Sequence, residues 1–181
     1  YNDHEVVEKA MQLFWCNSYE TTSMQMLEKE MGINKFSIYA SFGNKHGLFI
    51  ESLKCYKLKV GAILEKFKNA TNGVADIKQF FYDSVAADFK GSSQKGCFIT
   101  NTYYEFSKSE DELIREQISS FVTQIKEIFI EKLEKENTKN NMCIQKQTNF
   151  LLLAKHGLAA ASRVNSKKDT EDYIEMTFLN I

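Results

Sequence analysis

The sequence predicts an all-α protein, a short three-helix head followed by a longer helical body, and three observations predict it. Proline is absent from all 181 residues and glycine occurs only eight times, so little interrupts long helices. Apolar residues recur three and four apart along most of the chain, the spacing of one helix face. Capping residues stand where such runs begin and end, most clearly between residues 20 and 49.

The first helix is the amphipathic stretch Val6 to Phe14 (VVEKAMQLF), followed by a turn at Tyr19–Thr22. Thr22 with Gln25 fits a capping box, in which hydroxyl and amide satisfy free backbone donors reciprocally. Met24, Leu27 and Met31 give the second helix an apolar face, and Gly32 ends it, since glycine takes the left-handed conformation without penalty. Asn34 caps a third helix in which Ile38 and Phe42 point inward together. Its other positions, Lys35, Ser37, Tyr39, Ala40 and Ser41, are mostly small or polar, with Phe36 the exception. Two short helices joined by a tight glycine turn, the second anchored on one side and polar on the other, form a helix-turn-helix suited to a DNA major groove.

A fourth helix opens at Asn44-Lys45 and is expected to run to about Phe67, carrying the head into the body. Ala70–Gly73 is a break, and Val74–Phe89 follows as an amphipathic stretch with Ile77, Phe80, Phe81 and Val85 inward. GSSQKG at 91–96 reads as a loop, and the next helix runs from near Gly96-Cys97-Phe98-Ile99 to about Ser107. SEDEL at 109–113 caps a long helix from Asp111 to about Glu136. Its buried side holds Ile114, Ile118, Phe121, Val122, Ile125, Ile128, Phe129 and Leu133. TKNN at 138–141 is a second loop, and the last two helices lie near Cys143–Asn165 and Thr170–Leu179. The expected division is a DNA-binding domain at 1–48 and a helical body at 49–181.

The head closely resembles the TetR family of transcriptional regulators. The resemblance rests on the first helix and its turn, then on Met31-Gly32-Ile33-Asn34-Lys35, Ser37-Ile38-Tyr39 and Phe42. It ends on Asn44-Lys45 before Leu48-Phe49. It is specific over the first third of the chain and extends beyond it in helix number and order. Glu28 and Met31 depart from the family, which usually has small residues there packing the two helices together. The resemblance implies a homodimeric repressor on a palindromic operator, released by a small-molecule effector held in the body, which also dimerises.

Net charge is −1, and residues 1–60 hold seven lysines, seven acids and no arginine, so the head is not basic overall. Lys35 and Lys45 nevertheless lie on the proposed groove side, with Lys54, Lys57 and Lys59 further along, and a dimer doubles every phosphate contact. Lys45, beside Asn44 at a helix start, is expected to clamp a phosphate. Tyr39 matches the family's near-constant tyrosine and would bond a phosphate through its hydroxyl. Ser23 and Gln25 contact phosphate, Lys35 and Ser37 read bases, and Phe36 and Ala40 pack on thymine methyls. Ser41 completes the polar face.

In the body, Leu153, Gly157, Ala160, Ala161, Tyr173, Met176 and Thr177 on the last two helices form the expected dimer face, small residues allowing close helix approach. A small apolar or aromatic effector would be lined by Phe81, Phe98, Phe121 and Phe150, with Asn101, Tyr103, Tyr104 and His156 as polar neighbours. Each of these aromatics is also what an ordinary helical core contains. KGCFITN at 95–101 resembles a Gly-Cys motif of one family branch, some of whose members sense electrophiles or oxidants. The alternative reading is therefore a regulator sensing through Cys97, with Lys95 and the helix start lowering its thiol pKa. A second alternative is a DNA-bound architectural factor without a small ligand.

Catalysis would need a nucleophile, base or metal cluster. His4, His46 and His156 show no ligand spacing, the four cysteines are scattered, and no glycine-rich phosphate loop occurs, so neither enzyme, metal nor cofactor is expected. No run of eighteen apolar residues and no basic-then-apolar leader is present, and the expected location is cytoplasmic, away from membranes. The sequence opens on Tyr1 rather than methionine, so residues are expected to precede it, and basic arms before such heads often touch DNA.

Overall fold

The computed structural model describes residues 2–89, 94–136, 140–179 and 181, and every regular element among them is helical. In order these are α1 (Asp3–Asn17), α2 (Met24–Met31), α3 (Lys35–Phe42), α4 (Lys45–Lys59), α5 (Gly61–Asn69) and α6 (Val74–Ala86). A 3-10 turn at Ala87–Phe89 follows, then α7 (Phe98–Glu105), α8 (Glu112–Lys135), α9 (Asn141–Ala161) and α10 (Lys167–Thr177). The all-α expectation holds. Among the described residues no helix is long and apolar enough to cross a membrane. Residues 91–93 and 138–139, parts of the two expected loops, lie outside the described residues.

Two boundaries differ from expectation. The fourth helix does not run to Phe67: it stops at Lys59, and α5 starts afresh at Gly61. Leu53, Tyr56, Leu64 and Phe67 are all buried, so the apolar spacing continues across the break and hides it. Val60 and Gly61, both weak helix formers, mark where it falls. The cap of α2 also shifts by one residue. Ser23 is the N-cap, accepting from the Met26 N–H at 3.1 Å, while Thr22 is buried and donates to Ser18 O at 2.5 Å, so no Thr22–Gln25 box forms.

Packing divides the chain into two compact units, residues 1–60 with 101–119, and residues 61–100 with 120–181. These units do not coincide with a cut after residue 48. In the first unit, Val6, Val7, Ala10, Met11 and Phe14 of α1 are buried, as are Leu48, Phe49, Leu53 and Tyr56 of α4. Phe14 meets Phe49 edge-on at 5.0 Å between ring centroids. Gly47 is required there, because a Cβ would lie 2.0 Å from the Phe42 carbonyl oxygen. Segment 101–119 packs onto this set, with Ile114 buried and Phe106 stacked 5.6 Å from Phe49.

The second unit is built on aromatic rings. Phe67 and Phe80 stack at 4.5 Å, and Phe81 and Phe129 lie buried among Ile77, Ile125, Ile128, Leu133, Leu151 and Ile174. Charge also enters its interior. The fully buried Lys132 ammonium donates to Lys68 O, Ala70 O and Asp76 Oδ2, the last at 3.1 Å. Asp76 Oδ2 also accepts from Asn72 N–H at 2.8 Å, so the pair closes the break between α5 and α6.

Candidate nucleic-acid interface

The α2–α3 unit is held by caps at both sides of its turn. Gly32 ends α2 with φ +71°, in the left-handed region where any Cβ would be strained. Asn34 caps α3 through its side chain, accepting from Ser37 N–H at 2.9 Å. Glu28, the residue that departs from the family pattern, accepts from the Lys35 N–H, a second cap on the first turn of α3. In the sequence Glu28 stands out only as a departure from the family pattern, since a bond seven residues away leaves no local periodicity to read. Leu27, Met31 and Ile38 are buried and fix the pair to the head, while Phe42 is half-buried.

The outer face of α3 carries the predicted set. Lys35, Phe36, Tyr39, Ala40 and Ser41 are exposed, Phe36 to 81% of its surface, and Ser37 is half-buried. Lys35 Nζ lies 5.3 Å from the Tyr39 ring centroid, a cation–π contact that holds charge and phenol side by side. Ser23 and Gln25 are exposed at the start of α2. Lys45 is half-buried in the first turn of α4, its Nζ 4.4 Å from the Tyr19 ring centroid, and Asn44 caps that helix on Gly47 N–H at 2.8 Å. Burial, then the charges of Glu20, Asp111 and Glu105, push the Tyr19 phenol up, so it stays protonated beside Lys45.

Lys54, Lys57 and Lys59 are already engaged. Lys54 pairs with Glu51 at 2.8 Å, Lys59 with Glu8 at 3.2 Å, and Lys57 donates to Gln117 Oε1 at 2.5 Å. Burial and the neighbouring Lys54 hold the Lys57 ammonium below its ordinary value. Lys35 and Lys45 are thus the cations of this set with aromatic rather than anionic neighbours.

The expected effector residues fall in both units. Asn101, Tyr103 and Tyr104 belong to the first unit, Phe81, Phe98, Phe121, Phe150 and His156 to the second. Phe81 and Phe98 are buried core residues, whereas Tyr104 and Phe150 are exposed. Phe121 and His156 share a cavity of about 20 Å³ with Cys97, Ile125 and Lys155, room for about one water rather than a ligand. Tyr103 instead lines an open groove of about 530 Å³ with Phe106, Ile114, Arg115 and Ile118. Helical spacing marks a buried face but does not say which neighbours leave a gap.

Cys97 is half-buried. The amine beside it is that of Lys155, which sequence reasoning missed: burial holds it below its ordinary value, against the opposing pull of Cys97 and Asp88. Asp88 accepts from Gly96 N–H at 3.1 Å and from Ser162 Oγ at 2.9 Å, which anchors the chain just before Cys97. Burial, then Lys155, also push the His156 imidazole down.

On the last two helices Leu153, Gly157, Tyr173 and Met176 are exposed and Ala160 and Ala161 half-buried. Thr177 is not available for an interface: it is buried and its hydroxyl donates to Tyr173 O at 2.8 Å. Its place on the helix turns it toward its own unit. Among the described residues no group of three or more His, Cys, Asp or Glu side chains is placed to hold a metal ion.

Comparison with known proteins bears on the same region. The family model of bacterial regulatory proteins of the tetR family matches residues 6–51. An uncharacterized HTH-type transcriptional regulator of Bacillus subtilis, YezE, is 31% identical over 111 residues, 61% of this chain and 57% of that protein. The HTH-type transcriptional repressor ComR of Escherichia coli is 33% identical over 101 residues, 52% of this chain and 46% of its own. The chain thus spans about half the length of these two curated relatives. Among solved structures, a cysteine mutant of the regulator CifR in complex with 26-bp operator DNA superposes with a TM-score of 0.84. It is 20% identical, and 98% of this chain and 95% of that one are covered, a likeness of fold.

Proposed function

We propose that the chain, whose residues 6–51 match the tetR-family model, is a DNA-binding transcriptional regulator of that family, a repressor acting as a homodimer on a palindromic operator. The observation that carries the reading is the exposed polar and aromatic face of α3, held by the Gly32 turn, the Asn34 cap and buried Ile38. That face enters a major groove: Lys35 and Ser37 meet base edges, and Phe36 and Ala40 lie against thymine methyls. Tyr39, Ser41, Ser23 and Gln25 meet the backbone, and Lys45 clamps a phosphate at the N-terminus of α4. ComR is named a repressor and CifR is described with operator DNA, which supports carrying both ideas to this chain.

Two heads are needed to hold half-sites about 34–36 Å apart. The exposed Leu153 and Met176, with Gly157 between helices α9 and α10, support self-association through those helices. An apolar or aromatic effector would shift the population off DNA by binding one head placement better than another. The groove that Tyr103 lines, at about 530 Å³, has the size of a small-molecule site and is where such an effector is sought. Titrating a palindromic duplex across a salt series tests the reading. Lys45→Ala should weaken binding to all sequences alike and flatten the salt slope, and unchanged binding would remove the placement of the head on DNA.

A second reading makes Cys97 the sensor. Its support is the shared cavity that places the Lys155 amine and the His156 imidazole with Cys97. Release of DNA on treatment with peroxide or an electrophile, lost in Cys97→Ser, is the result this reading requires.

A further inference from the structure

Residues 101–119 pack with the head rather than with the rest of the body, although about 40 residues separate them from α4 in sequence. Three side chains of this segment make the connection. The Glu105 carboxylate, at the C-terminus of α7, accepts from two successive backbone N–H groups of the α1–α2 turn. These are Tyr19 N–H to Oε2 at 3.0 Å and Glu20 N–H to Oε1 at 2.9 Å. Asp111, at the start of α8, meets His46 Nε2 of α4 at 2.6 Å and at the same time caps its own helix on Ile114 N–H at 3.1 Å. Gln117, one turn further along, takes Lys57 of α4 on its Oε1 at 2.5 Å and its backbone oxygen at 3.5 Å. Between the first two ties the Phe106 ring lies 5.5 Å from Tyr19 and 5.6 Å from Phe49.

We propose that residues 105–117 are a three-point clasp that positions the DNA-reading head, with Glu105, Asp111 and Gln117 as its positioning residues. The proposal rests on the DNA-binding reading above. The tie from Glu105 controls the entry to α2, because the turn it grips leads directly into the Ser23 cap. The backbone there has few conformational choices once fixed: Ser18, which precedes the gripped amides, has φ +71°, a conformation that a non-glycine residue keeps only when its neighbours enforce it. The tie from Asp111 acts one residue after Lys45 and so fixes the start of α4, the end that is offered to phosphate. Charge-assisted bonds of two oxygens to two adjacent donors set both distance and orientation, which a single contact does not. Helices α7 and α8 each continue past the clasp into residues of the second unit, α7 backwards to Phe98 and α8 onwards to Lys135.

The test uses Glu105→Ala, Glu105→Gln and Asp111→Ala in the full chain, with amide hydrogen exchange on the free protein and binding to a duplex that wild type selects from random DNA. Glu105 is exposed, so Glu105→Ala should keep its melting temperature within about 2 °C of wild type. The expected results are at least about tenfold faster exchange at Tyr19 and Glu20 and about tenfold weaker DNA binding, partly restored in Glu105→Gln, which keeps one acceptor. Asp111→Ala should weaken DNA binding while leaving exchange at Tyr19 and Glu20 unchanged, which separates the two ties. Wild-type exchange rates in Glu105→Ala, or DNA affinity that stays equal or rises once this carboxylate is gone, would overturn the proposal. If wild type selects no duplex, it is the DNA reading that fails, and the exchange arm still decides whether Glu105 holds the turn.

Discussion

In the first unit, segment 101–119 grips the head through Glu105, Asp111 and Gln117, groups at or near the surface whose partners are backbone amides, an imidazole and a lysine. In the second unit the polar tie is interior: Lys132 and Asp76 are buried at 0% and 6% exposure and complete one another together with three backbone groups. The contrast separates two uses of charge. A surface tie contributes roughly 0–1 kcal/mol and its partners can return to water, so it can be made and broken while the fold persists. A buried pair lacks that freedom, since either ion left alone faces the full cost of desolvation. The head is thus connected by ties that a regulator can exchange, and the body is closed by one that it cannot.

The sharpest way to break this comparison is at the buried pair. Lys132→Ala should destabilise the protein by about 3–5 kcal/mol in chemical denaturation, because it strands the Asp76 carboxylate. A loss under about 1 kcal/mol would put this pair in the same class as the surface ties. Gly47→Ala comes next, at about 1–3 kcal/mol, since its Cβ would lie 2.0 Å from Phe42 O and force α3 away from α4. DNA binding should suffer with it.

Lys35 and Tyr39 were legible as outward-facing because the Gly32 turn and the Asn34 cap fix the phase of α3 by local chemistry. The buried stripe of α8 was legible for the same kind of reason: Ile114, Ile118, Ile125, Ile128, Phe129 and Leu133 repeat at helical spacing and are buried. Ser23 displaced Thr22 as a cap because two hydroxyl residues stand side by side and sequence alone does not choose between them. The clasp could not be read at all. Glu105 and Tyr19 are 86 positions apart, and nothing in the local pattern of an exposed glutamate names its partner. Phe81 and Phe98 were legible as buried, but helical spacing does not separate core packing from the lining of a pocket.

Smaller effects sharpen the surface side of the comparison. Replacing Lys35 should change base preference at its position by about 1–3 kcal/mol, measured as relative affinity across single-base operator variants. Asp111→Asn should cost about 0.3–1 kcal/mol at neutral pH, because it keeps a capping oxygen but loses the charge that faces His46 and the N-terminus of α8. Burial pushes the Asp111 carboxyl up, but the Ile114 amide and His46 outweigh it and hold the group below its ordinary value of 3.8. A depressed carboxyl contributes stability above that value and loses it as pH falls through the lower folded value. Wild type and Asp111→Asn should therefore differ at pH 7 and converge below about pH 4. A gap that stays constant over that range would mean that the ionised carboxylate is not what holds the segment.

The measurement that bears most directly on the central claim is selection of bound sequences from random duplex DNA, run beside a Tyr39→Ala/Lys45→Ala double variant. A palindrome enriched by wild type and lost in the double variant is the predicted result, a dimer reading sequence through α3 and holding phosphate at α4. Equal enrichment by both proteins would contradict the placement of the head, and no enrichment by wild type would contradict the function itself.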